Sequence, residues 1–389
     1  MTSAVPPTDS SATFEKPAAP ADRSLALDVL RAWAILLVLG RHILWFPPSP
    51  RWDVFFVRLW HQCGWIGVDL FFVLSGYLVG GLLFREFRER GIVSPWIFLV
   101  RRGFKIYPAF YAFLALSLLI SYELGMTFPS WPQGLVGELL FVQNYYASLW
   151  PQTWSLAVEE HFYLLLVWGI YVLSRRSAAP DPFRRLVWVV AGVNILTLAG
   201  RLYAGCALQE HWSHLLMRTH WRLDSLFFGV MLAYARHWHL SRLVSMLNLA
   251  ARWKIWGIAL LLAPCIVGDI EKTPYLYTAG LTGLYLGFGW LVADAAVSAR
   301  QGVYRRMAFL APVGRWSYSI YLWHVTVYYV VVPFLHRHLP GTPYVIEIAI
   351  YVALAIATGA TMFKCIEGPA LRWRERWCPS RIRSRGSDV

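Results

Sequence analysis

The sequence predicts an all-α, polytopic membrane protein of about ten transmembrane helices, with both termini cytoplasmic. Three observations carry that expectation. Of 389 residues, 57% are hydrophobic and only 15% charged, more apolar and less charged than soluble domains are. Apolar segments recur near residues 25–46, 64–84, 104–121, 156–173, 186–204, 221–235, 255–270, 275–296, 312–334 and 344–365, most of them close to the roughly 20 residues a helix needs to cross a bilayer core. Finally, the basic residues alternate between loops. Arg85, Arg88, Arg90, Arg101, Arg102 and Lys105 fall between the second and third segments, whereas residues 121–155 hold no Lys or Arg. Arg175, Arg176, Arg184 and Arg185, then Arg236, Arg242, Arg252 and Lys254, then Arg300, Arg305, Arg306 and Arg315 repeat the pattern, and the tail adds Arg372, Arg374, Arg376, Arg381, Arg383 and Arg385. By the positive-inside rule these loops and both ends face the cytoplasm.

The same distribution explains a net charge of +14 without nucleic acid, because the cations sit where topology requires them. Five cysteines, Cys63, Cys206, Cys265, Cys365 and Cys378, show neither a disulfide framework nor zinc spacing. Residues 1–24 are rich in Pro, Ala, Ser and Thr and read as a disordered cytoplasmic tail. Residues 25–368 form the membrane domain, and 369–389 a second, basic cytoplasmic tail. Residues 134–146 are too short to span and read as interfacial.

Taken in order, the segments carry polar residues that lipid alone would not tolerate. The first holds Asp28, Arg31 and His42. Arg31 and His42, eleven positions apart, share a face and lie roughly 16 Å apart along the axis, with Arg31 toward the cytoplasm and His42 at the outer end. That is the pattern of a polar site inside the bundle, or of an arginine that snorkels to one surface. The second segment runs inward with Asp69 in its outer third and Ser75 at mid-membrane. At the entry of the third, Arg101, Arg102 and Lys105, with Tyr107 beyond them, suit the phosphates of a cytosolic donor; as a topological anchor they would look the same. The fourth begins outside with Trp154, Glu159, Glu160 and His161, level with His42. Glu159 shares a face with Ser155 and Tyr163. A histidine with a neutral pKa near 6.5 suits proton removal from a hydroxyl, and a carboxylate would orient it. Acids in a first helical turn also simply favour the dipole.

In the sixth segment, Arg222 and Asp224 could pair with each other, or Arg222 could hold an anionic substrate group. The ninth presents Ser317, Tyr321, His324 and Tyr328 on one face. His324, near mid-membrane, needs a partner, and a packing hydrogen bond within the bundle supplies one. The pairs His211/His214, His237/His239 and His336/His338 lack acidic or cysteine companions in register, so no metal is expected.

Together these stretches resemble the integral-membrane acyltransferase 3 family, which includes O-antigen and peptidoglycan O-acetyltransferases. The matches are LDVLRAWAILLVLGRH (Leu27–His42), GVDLFFVLSGYLV (Gly67–Val79), FLVRRGFKIYPAFY (Phe98–Tyr111), WSLAVEEHFYL (Trp154–Leu164), RLDSLFFGVMLA (Arg222–Ala233), GRWSYSIYLWH (Gly314–His324) and CIEGPALRW (Cys365–Trp373), which contains Glu367. They follow the family's order. The resemblance implies transfer of an acyl group, usually acetyl from cytosolic acetyl-CoA, to a hydroxyl of an extracytoplasmic or lipid-linked glycan, by an enzyme of the cell (inner) membrane. No bound cofactor is implied, since acyl-CoA is a substrate. His42 becomes the essential histidine, Arg31 its companion, Glu159 or Glu160 the supporting acid, and Arg101, Arg102, Lys105 and Tyr107 the donor-binding segment. Where the family commonly has Gln in VEEQFY, this chain has His161, a second titratable group near the site. With no attached hydrolase-like domain, the membrane module is expected to complete transfer itself, to hand the acyl group to a separate periplasmic partner, or to modify a substrate that reaches the bundle directly. The competing class is a transporter or flippase for a lipid-linked saccharide. A membrane sensor, the third, has no signalling domain to support it.

Overall fold

The computed structural model describes residues 25–48, 52–176, 181–250, 268–297 and 301–379, and every regular element among them is helical. In chain order these include α1 (Leu25–Arg41), α2 (Trp52–Cys63), α3 (Ile66–Arg90), α4 (Pro95–Glu123), α5 (Gln133–Leu139), α6 (Trp154–Arg176), α7 (Leu186–Leu202), α8 (Trp212–Met217), α9 (Leu223–Trp238) and α10 (Leu240–Ala250). They continue with α11 (Leu281–Val297), α12 (Gln301–Arg306), α13 (Ala311–Arg315), α14 (Ser317–His338), α15 (Tyr344–Met362) and α16 (Gly368–Trp377). Among the described residues, seven helical spans are long and apolar enough to cross a membrane: α3, α4, α6, α7 with the turn after it, α11 with the turn before it, α14, and α15 continued through α16. At 17 and 16 residues, α1 and α9 are shorter. Both are nonetheless packed inside the bundle.

Several boundaries differ from the sequence expectation for identifiable reasons. The third span begins at Pro95, not near 104, because a proline is favoured in the first turn, where its missing N–H would be unpaired anyway. The segment expected at 312–334 breaks at Trp316, whose backbone (φ −89°, ψ 0°) separates α13 from α14. Helix α2, with Arg58, His61 and Gln62 among its aromatic residues, is too polar to stand out as a span. The interfacial stretch contains the seven-residue α5. The tail expected from 369 begins as helix α16. The helix expected at 255–270 lies almost wholly outside the described residues, as do the tail 1–24 and Arg381, Arg383 and Arg385.

Close packing rests on glycines at a few crossings. Helices α3 and α9 make the most extensive contact among the described residues. A Cβ on Gly76 would sit 1.9 Å from the Leu226 carbonyl oxygen, and one on Gly229 would sit 2.3 Å from that of Val73. The two backbones therefore touch, as small residues allow within membranes. Gly314 does the same for α13, where a Cβ would lie 1.8 Å from the Asp28 carbonyl oxygen. The motif around Gly314 is thus pressed against the first helix, where Asp28 is buried.

Two buried ion pairs tie this packing together. Arg222 does not pair with Asp224, as the sequence allowed. Positions two apart point about 200° away from each other on a helix, and Arg222 precedes the first residue of α9. Its guanidinium instead donates to Asp69 of α3 at 2.8 Å and lies 5.3 and 5.8 Å from the Phe72 and Trp154 ring centroids. Asp224 accepts from Arg201 of α7 at 2.5 Å, and Arg201 also donates to Thr282 of α11 at 2.8 Å. All four charged side chains are at most 2% exposed. Between α15 and α16, residues Phe363–Glu367 form a single π-helical turn that ends on the fully buried Glu367.

Candidate active site

His42 ends the first helical stretch, and its Nδ1 lies 3.0 Å from the Val38 carbonyl oxygen. The same nitrogen is 3.1 Å from Nε2 of His324 on α14, and the two rings meet edge-on at 77° with centroids 4.7 Å apart. His324 Nδ1 is 2.7 Å from the Tyr321 carbonyl oxygen. Because a carbonyl only accepts, these contacts assign the protons. His324 carries its hydrogen on Nδ1 and offers Nε2 as an acceptor. His42 then donates Nδ1–H to Val38 and shares it with His324, which leaves His42 Nε2 as the nitrogen with the lone pair. That arrangement suits a general base whose far side is held by a second imidazole.

Neither Glu159 nor Glu160 hydrogen-bonds His42, in contrast to the carboxylate support expected from the sequence. Consecutive helical residues point about 100° apart, so Glu159, Glu160 and His161 separate. Glu159 accepts from Tyr163 at 2.7 Å, and Ser75 donates to the Tyr163 hydroxyl at 2.8 Å. Glu160 accepts from Tyr107 at 3.0 Å, and its other oxygen is buried without a hydrogen-bond partner. His161 contacts the Thr219 hydroxyl at 2.7 Å.

Of the three, Glu159 lines a cavity of about 70 Å³, together with Arg31, Phe71, Ser155, Ser317 and Tyr321. Arg31 and Arg102 supply the positive charge near Glu159. Tyr321 joins this cavity to the histidine pair. Its hydroxyl donates to the Gln152 carbonyl oxygen at 2.7 Å and accepts from Ser155 at 2.6 Å, while its own carbonyl holds His324.

The basic segment of α4 divides by function. Arg101 bonds the Cys378 carbonyl and pairs with Glu375 at 2.9 Å. Lys105 pairs with Glu367, which also accepts from Ser319 at 2.8 Å. Arg102 instead stacks over the rings of Phe98 and Tyr163, at 5.6 and 5.0 Å, and faces Glu159. Asp69, Arg222, Asp224 and Trp154 are held in the buried cluster beside the cavity.

Two features escape the sequence reading. His324 is a candidate supporting residue in the sequence, but its partner is His42, and across 282 residues that pairing has no local signal. The second is Glu138 on α5. It is fully buried, and one carboxyl oxygen accepts from Leu149 N at 3.1 Å, Trp150 N at 3.3 Å and the Thr153 hydroxyl at 2.8 Å. Burial pushes its carboxyl up to about 7 despite those bonds. Glu138 thereby holds the strap 149–153, from which Gln152 reaches both Tyr321 and the Leu322 carbonyl oxygen at 3.1 Å. A lone acid in an apolar segment within a stretch lacking Lys and Arg was the available clue.

The sequence model of the acyltransferase 3 family, described as an acyltransferase domain, matches residues 24–363. The chain is 25% identical over 373 residues to the peptidoglycan O-acetyltransferase OatA of Listeria monocytogenes, covering 88% of this chain and 55% of that one. It is 26% identical over 357 residues to the O-acetyltransferase OatA of Staphylococcus aureus, covering 85% and 55%. The chain thus spans little more than half the length of these curated relatives. No solved structure matches. The family match runs from the start of α1, through both histidines, to the π-helical turn, and the chain belongs to the acyltransferase 3 family.

Proposed function

We propose that this protein is a multi-pass enzyme of the cell membrane that moves an acyl group from acyl-CoA to a hydroxyl of a glycan. The relatives' names favour acetyl as the group. The observation that carries the proposal is the pairing of half-buried His42 with fully buried His324, which leaves His42 Nε2 as a base. With about ten transmembrane helices and both termini in the cytoplasm, the Arg31 end of α1 meets the donor and the His42 end meets the acceptor.

Arg102 and Arg31 attract the CoA phosphates, and the acyl arm enters the cavity beside Glu159 and Tyr321. The roughly 16 Å between Arg31 and His42 is comparable with an extended pantetheine arm. His42 Nε2 takes the proton of the acceptor hydroxyl as its oxygen attacks the thioester carbonyl. A C–O bond forms, the C–S bond breaks, and the CoA thiolate takes the proton back from the imidazolium. His324 steadies that imidazolium, the role a carboxylate fills in serine hydrolases.

The test is label transfer from radiolabelled acetyl-CoA to membrane glycans by purified protein in detergent. His42→Ala should abolish transfer while the protein still elutes as a folded species. Retained wild-type turnover in that variant would sink the mechanism. A flippase would require its buried charges to line a route. Asp69, Arg222, Asp224 and Arg201 are instead paired with one another, which disfavours that alternative.

A further inference from the structure

A second, open cavity of about 570 Å³ is lined by Leu44 and Trp45, just after His42, and by the part of α14 that follows His324. We infer that this cavity is the acceptor site, and that it takes the end of an anionic saccharide. The inference rests on reading His42 as the base. The two segments that supply the pair also wall this cavity. Leu44 and Trp45 follow His42 by two and three residues, and Tyr328 lies one helical turn beyond His324. Tyr321, just under one turn before His324, lines the cavity that holds Arg31. Along α14, His324 thus falls between the residues that line one cavity and those that line the other.

The wall next to His42 is braced. Tyr328 accepts hydrogen bonds from both Leu44 N and Trp45 N, at 3.0 and 2.8 Å, and Tyr344 donates to the Trp45 carbonyl at 3.1 Å. The Trp45 ring is held edge-on by His336 and Tyr344, with centroids 4.6 and 5.7 Å away, yet the residue is 42% exposed. A fixed, accessible indole is a platform for the C–H face of a pyranose. Pro333 and Val332 complete the lining.

At the mouth, His336 faces Glu347 at 3.2 Å, so a carboxylate is already met there by its own partner. Arg337 adds a guanidinium to the lining, which selects a carboxylate or phosphate on the incoming glycan. The volume is that of a ligand site.

The test uses the full chain in detergent with two probes, cellobiouronic acid and its neutral counterpart cellobiose, and [14C]acetyl-CoA as donor. Titration calorimetry reads saccharide binding, and the ratio of acetyl transferred to acetyl hydrolysed reads acceptor use. The wild type should bind the acidic disaccharide at least tenfold more tightly than the neutral one. Arg337→Gln should erase that preference, and Trp45→Ala or the cavity-filling Val332→Trp should lower the transfer-to-hydrolysis ratio about tenfold. Failure of the wild type to bind either disaccharide, equal affinity for both, or wild-type ratios in Trp45→Ala and Val332→Trp would overturn the assignment. Hydrolysis surviving in His42→Ala would overturn the base instead, and calorimetry would still decide the cavity.

Discussion

Replacing His324 by alanine tests the central geometry most directly. The variant loses the 3.1 Å contact to His42 Nδ1 but keeps the Val38 carbonyl at 3.0 Å, so the tautomer of His42 is still dictated. What disappears is one hydrogen bond to a ring that becomes cationic in the transition state, worth about 1.5–3 kcal/mol. At about 1.4 kcal/mol per factor of ten, kcat should fall roughly 10- to 150-fold. Removing His42 itself should cost more, on the order of 10²–10⁴ or beyond, because the base is gone. His324→Gln places an amide oxygen near the lost acceptor and should recover most of the rate. The assay is CoA release at saturating acetyl-CoA, with thermal melting in the same detergent to confirm equal folding. Wild-type kcat in His324→Ala would refute the dyad. A variant as inactive as His42→Ala and not rescued by glutamine would refute it differently, by making His324 the residue that carries the proton.

Two further outcomes follow from the buried polar groups. Asp69→Asn strands the Arg222 guanidinium without its charge partner and should cost about 3–5 kcal/mol, read as a lower melting temperature. The double replacement Asp69→Leu with Arg222→Met should recover much of that loss, and equal damage from single and double variants would contradict the pairing. Glu138 gives a pH signature. Its folded carboxyl, raised from 4.5 to about 7, holds its proton where the unfolded chain has released it. Stability therefore falls as pH rises across that window, by on the order of 3 kcal/mol. Glu138→Gln keeps an acceptor oxygen for the strap and carries no charge. Its melting temperature should change less between pH 5 and pH 8 than that of the wild type, and an unchanged slope would refute the assignment.

Much of this architecture was legible because lipid forces sequence to announce it. Apolar length marked the spans, and the i±4 spacing of Glu159 and Tyr163 anticipated a contact the structure makes. The face formed by Ser317, Tyr321, His324 and Tyr328 was equally visible, and each of these residues reaches a cavity or a partner on it. Side-chain pairing between distant helices was not. Arg222 passes over nearby Asp224 for Asp69, and His42 meets His324 in place of either glutamate, because both choices depend on how helices rotate against one another. Glycine contacts such as Gly314 on the Asp28 carbonyl set those rotations, and a sequence shows the glycine without showing what it touches. The basic segment illustrates a different limit. Arg101, Arg102 and Lys105 look equivalent in a row, yet Glu375 and Glu367 neutralise the outer two and leave Arg102 facing Glu159.

The π-helical turn at Phe363–Glu367 sets the phase of everything after it. One surplus residue advances the downstream helix by about 100° relative to an uninterrupted α-helix. In that phase Glu367 meets Lys105 and Glu375, two turns on, meets Arg101. Ironing the turn into regular helix would swing both acids off α4 together, and the two cations they neutralise would become bare charge competing with Arg102 for any anion that approached.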